Sequence, residues 1–162
     1  TADGEPLVAA SFVGTLDGHL TNDDGDMVFA RIGIDGTVRW LRVVAAARPQ
    51  VVSSVARWGD EFVLAGGYDG HVVFGPAVEL VGPRSLVSLP EDGFIAGLSQ
   101  ATGEPSWART VHTSINAPAR VAPLGDEIVI SSTHSGWSML RYLLPPRSFS
   151  AQTIFARYSR DP

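Results

Sequence analysis

A hexapeptide that occurs twice constrains this chain more than any other feature. Gly59-Asp60-Glu61-Phe62-Val63-Leu64 returns as Gly125-Asp126-Glu127-Ile128-Val129-Ile130, and the pair Gly70 and Gly136 keeps the same offset. Phe29-Ala30-Arg31 and Ile95-Ala96-Gly97 share that period of 66, Phe155-Ala156-Arg157 follows 60 residues later, and Trp40-Leu41-Arg42 matches Trp107-Ala108-Arg109 at 67. A looser copy runs from Gly4 to Gly14. Self-similarity at one long period means that one supersecondary unit is used several times, each copy burying its apolar face against the next.

The unit reads as strands. Val51 to Arg57 and Ala119 to Leu124 are short β-prone runs that each enter a Gly-Asp-Glu turn and continue into an apolar run, Phe62 to Ala65 or Ile128 to Ser131. Met27 to Ile32 and Phe94 to Leu98 lead through Asp35-Gly36 and Ala101-Thr102-Gly103 into Val38 to Val43 and Ser106 to Val111, which predicts a second hairpin. Gly 17 and Pro 11 supply the dense turn punctuation that such short segments need. Arg42 to Arg48 could form one helical turn, but Pro49 stops it and no long helical periodicity exists elsewhere.

The expected fold class is therefore all-β: an incomplete β-propeller of four-stranded antiparallel blades, with one whole blade (51–111) between two partial ones (1–44 and 119–162) in a single segment, 1–162. The connection from Gly70 to Asp92 is expected to extend the second strand and double back through Val72-Val73-Phe74 and Val78-Glu79-Leu80-Val81. Alternation should send Val63 and Ile128 to one blade face and Phe62 and Leu64 to the other, with both faces buried. The pattern starts and stops inside blades, so the chain reads as part of a longer propeller or as a subunit that completes its ring by assembly.

These segments resemble the bacterial β-propeller repeats called SBBP repeats, through Gly4 to Asp17, Asp26 to Arg42 and Gly59 to Gly75. Asp92 to Arg109, with Ala101-Thr102-Gly103 before Trp107, is also similar to the repeat of quinoprotein-type propellers, in which the Trp docks between neighbouring blades. The resemblance implies a fold far more than an activity, because propellers host many unrelated chemistries.

Composition narrows the partners. Seventeen acidic against 12 basic residues give a net charge of −5 with no basic tract, which argues against nucleic acid. No apolar run reaches the ~20 residues of a membrane-spanning helix. The absence of Cys removes disulfide scaffolds and thiolate metal sites.

Candidate chemistry is sparse. Asn22, Asp23, Asp24 and Asp26 form an oxygen-rich loop of the composition that calcium prefers, although Gly33 stands where an EF-hand would need its twelfth-position Glu. Asp26 and Asp92 precede equivalent strands, which equally fits turn capping. His19, His71, His112 and His134 lack the spacing of a zinc site, and no GxSxG elbow accompanies His134. Trp40 and Trp107 recur and are expected to pack between blades. Trp137 stands where the preceding unit has His71, so Trp137 and His134 are the expected ligand-binding pair. Arg31, Arg42, Arg109 and Arg157 recur on strands and suit cross-strand pairing with carboxylates.

The function expected from this reading is a non-catalytic propeller scaffold for protein or glycan contacts in a secreted, periplasmic or cell-surface bacterial protein, with no resident cofactor unless calcium binds. The rival readings are an enzyme with its site at the propeller channel, either a quinoprotein-like oxidoreductase or a glycan-cleaving enzyme, and a calcium-dependent adhesion module.

Overall fold

The computed structural model describes residues 4–16, 18–20, 25–82, 92–111, 120–134 and 152–159. Every regular element among them is a strand. The first sheet joins β1 (Leu7–Phe12), β4 (Asp26–Ile32) and β5 (Val38–Val44) in that order. The middle sheet has the order β11-β10-β7-β6, built from β6 (Gln50–Trp58), β7 (Glu61–Tyr68), β10 (Asp92–Ser99) and β11 (Pro105–Val111). The third joins β12 (Arg120–Leu124), β13 (Glu127–His134) and β14 (Gln152–Ser159). All pairings are antiparallel.

Two short hairpins stand apart from these sheets: β2 (Thr15–Leu16) with β3 (His19–Leu20), and β8 (His71–Gly75) with β9 (Val78–Val81). The second hairpin uses the apolar runs expected to extend β7. The chain instead breaks at Asp69-Gly70 and forms a separate two-stranded sheet, closed by a 2.6 Å bond from Gly82 N to Gly70 O.

Alternation along the strands fixes the packing. Leu64, Phe94, Ala96 and Leu98 point from one face of the middle sheet into a core shared with Met27, Phe29 and Val44 of the first sheet. Val63, Ala65 and Ile95 point from the other face into a core with Val121, Ile128 and Ile130 of the third. The middle strands β7 and β10 are therefore apolar at nearly every position, because neither face meets water. At roughly 25 cal/mol per Å² of apolar surface, each fully buried Leu, Ile or Phe contributes about 2 kcal/mol relative to exposure.

Val63 and Ile128 do share a core, but they reach it from facing sheets. Along the repeat, Ile128 corresponds to Phe62, and both point toward the preceding sheet. Phe62 meets Trp40 of the first sheet with ring centroids 6.3 Å apart, whereas Ile128 meets the middle sheet.

The two Gly-Asp-Glu turns have one geometry. Gly59 and Gly125 adopt φ of 61° and 60°, in the left-handed region where a Cβ is unfavourable, and this explains why glycine opens both turns. The 42–48 segment contains no helix: β5 continues to Val44 and an irregular connection leads through Pro49 into β6.

Candidate functional site

Among the described residues, the four buried polar or charged side chains are Asp26, Gln50, Asp69 and Asp92, exposed by 7% or less. All four lie at one end of the sheets. Asp26, Gln50 and Asp92 are the first residues of β4, β6 and β10, and Asp69 follows the last residue of β7. Register explains the gathering: Gln50 and Asp92 both pair with Tyr68, so their side chains share one face of the middle sheet.

Each group has a partner from the fold. Asp26 Oδ1 accepts from Ala46 N at 3.3 Å, which ties the start of β4 to the chain leaving β5. Gln50 Nε2 donates to Val44 O at 3.2 Å. Asp69, with a fully buried carboxylate, has Arg48 Nε 3.0 Å from Oδ2, a contact that is ionic rather than well aligned as a hydrogen bond. A carboxylate taken out of water costs several kcal/mol unless a cation or donors compensate it, and Arg48 supplies such a cation here.

Tyr68 occupies the centre. Its hydroxyl lies 2.7 Å from Thr110 Oγ1. Burial pushes the phenol above its ordinary pKa, the Thr110 hydrogen bond works in the opposite sense, and the nearby Asp92 charge adds to the rise. The phenol therefore stays protonated throughout the physiological range. Gly82 closes the group from outside: a Cβ there would lie 3.0 Å from both Asp92 Oδ2 and Tyr68 Oη.

Equivalent positions end the other sheets. Phe12 pairs with Asp26 in the first sheet, Tyr68 with Asp92 in the middle one, and His134 with Gln152 in the third. His134, expected from sequence to contact a ligand, thus takes the backbone position that Tyr68 holds one repeat earlier. Trp137 lies outside the described residues, as do Asn22, Asp23 and Asp24 of the acidic loop. Asp26, the remaining member of that loop set, is 2% exposed and holds the Ala46 amide, which lies beyond β5 rather than in its own turn. Among the described residues no three His, Asp or Glu side chains converge on a point that could hold a metal.

The recurring aromatic and basic residues join sheets. Trp40 Nε1 donates to Gln100 O at 3.0 Å and Arg31 Nη1 donates to the same carbonyl at 2.8 Å. Trp107, at the corresponding position, donates to Glu61 Oε2 at 3.1 Å and packs against the core between the middle and third sheets. Arg31 Nε lies 2.7 Å from Glu5 Oε2, and Arg42 pairs with Glu104. The carboxylate partners of both arginines come from a segment before β1 or from the neighbouring sheet's turn, instead of from directly across the strand as the spacing suggested.

Sequence reading missed Arg48, Gln50, Tyr68 and Thr110. Tyr68-Asp69-Gly70 looks like an ordinary turn, and only the placement of Asp92 before a strand hinted that this end is special. No helix among the described residues is long and apolar enough to cross a membrane. The chain matches no protein-family model and no curated protein sequence.

Proposed function

We propose that the three sheets are successive blades of a β-propeller, and that this segment is a non-catalytic scaffold for protein or glycan contacts in a secreted or cell-surface bacterial protein. The observation that carries the reading is the state of the polar strand end. Four of its groups are committed to the fold: the Asp26 carboxylate to Ala46, Asp69 to Arg48, the Tyr68 phenol to Thr110 and the Gln50 amide nitrogen to Val44. Groups held in this way stiffen the end of a blade and leave the outer loops to recognise a partner. The sheet order supports the blade reading, since β6-β7-β10-β11 is a four-stranded antiparallel meander whose two faces are covered by neighbouring sheets. His134 and Trp137 are the residues assigned to the ligand.

The test is a glycan array and a panel of purified surface proteins, followed by a turnover assay on whatever binds. Binding without turnover, weakened by His134→Ala or Trp137→Ala at unchanged melting temperature, is the expected result. Conversion of a bound glycan would replace the scaffold reading with the enzyme reading.

A further inference from the structure

We infer that Gln100 is a coupling residue, through which the seam between the first and middle sheets and the β6–β7 turn open together. Its carbonyl serves the first sheet, receiving Trp40 Nε1 at 3.0 Å and Arg31 Nη1 at 2.8 Å. Its donors serve the middle sheet. Gln100 N donates to Asp60 O at 3.0 Å, and Gln100 Nε2 lies 2.7 Å from Gly59 O and 3.2 Å from Glu61 O. Three consecutive carbonyls of one turn thus accept from a single residue, whose own carbonyl accepts from the neighbouring sheet.

The turn that carries Gln100 does not need this side chain for its own shape. Ser99 N donates to Glu104 O and Gly103 N donates to Ser99 O, both at 2.8 Å. The turn between β4 and β5 closes on the same frame, with Gly33 N on Thr37 O at 2.7 Å and Gly36 N on Gly33 O at 2.9 Å. Ile34 therefore holds the position of Gln100 there, and it is 82% exposed. An apolar side chain left in water suffices to build that turn, so the Gln100 amide serves the contact with residues 59–61.

Carbonyl and donors move with one residue. A displacement of the 99–104 turn that breaks the bonds to Trp40 and Arg31 also pulls the Gln100 donors from Gly59, Asp60 and Glu61. Hydrogen bonds linked in this way reinforce one another, and each polar group left without a partner in a partly buried seam is costly, so the set is made or lost as a unit. Local openings of such units are what amide hydrogen exchange reads.

Amide exchange followed by NMR on the wild type, Trp40→Phe, Gln100→Leu and the double variant tests this. Trp40→Phe keeps a ring beside Phe62 and Gly103 but removes the indole donor, whose bond goes to Gln100 and not to the β6–β7 turn. It should nevertheless speed exchange across residues 59–61 by about fivefold, the factor equivalent to one hydrogen bond. In the Gln100→Leu background the same change should leave residues 59–61 unaltered, because the link has been cut. The amides of β13 should keep their wild-type rate in Trp40→Phe, which separates the coupled opening from a loss of global stability. No acceleration at 59–61, an acceleration that persists in the double variant, or one that spreads equally to β13 overturns the inference. Circular dichroism checks that the variants fold, and Gln100→Met repeats the cycle if Gln100→Leu does not.

Discussion

The indole of Trp40 and the backbone of Gly103 lie so close that a Cβ on Gly103 would sit 2.6 Å from Trp40 Cε3. Gly103 also holds φ at +70°, so alanine there is strained whatever the space. Gly103→Ala should therefore destabilise by about 1–3 kcal/mol, the range for overpacking and backbone strain. Trp40→Phe should cost about 1 kcal/mol through the lost hydrogen bond to Gln100. In a cycle with Trp40→Ala, the clash of Gly103→Ala has no partner, so the two effects should fall short of additivity in urea melts.

Arg48→Met should cost on the order of 3 kcal/mol, because the buried Asp69 carboxylate would lose its cation. Asp69→Asn in the same background should recover part of the loss. A melting temperature unmoved by Arg48→Met would show that Asp69 is compensated from elsewhere.

Tyr68 predicts an alkaline limit. Its folded pKa is raised, so the unfolded chain releases the phenolic proton first. The stabilising contribution is complete below the unfolded value of about 10 and is lost as pH rises toward the folded value. Wild-type stability should decline in that window, and Tyr68→Phe should be less stable at neutral pH but flatter above pH 10. Equal slopes for the two proteins would contradict the assignment.

Calcium should leave the melting temperature of the protein unchanged, since Asp26 already serves the Ala46 amide. A calcium-dependent rise abolished by Asp24→Ala would instead place a cation in the acidic loop.

The strands were legible because alternation and turn chemistry are local. Gly59 and Gly125 announce their turns through a backbone requirement that only the residue itself can meet. The strand end was not legible, because Gln50, Tyr68 and Asp92 lie far apart in sequence and become neighbours only through register. Trp137 stood out in the sequence as a break from the repeat, whereas the correspondence of His134 to Tyr68 has meaning only once Tyr68 is seen among Thr110 and Asp92. The partners of Arg31 and Arg42 were misjudged for a related reason: spacing reports which strand a residue is on, whereas Glu5 and Glu104 lie on neighbouring segments.

The indole and guanidinium bonds that reach the turn of a neighbouring sheet share a chemical asymmetry. Trp40 and Arg31 reach Gln100 O, and Trp58 reaches Gly125 O at 3.3 Å. In each case the donor is a side chain and the acceptor is a peptide carbonyl. Mutation can delete the donor but cannot delete the acceptor, so drift in the accepting turns is tolerated wherever the backbone keeps its course. At these bonds selection should hold the donors while the sequence of the accepting backbone drifts.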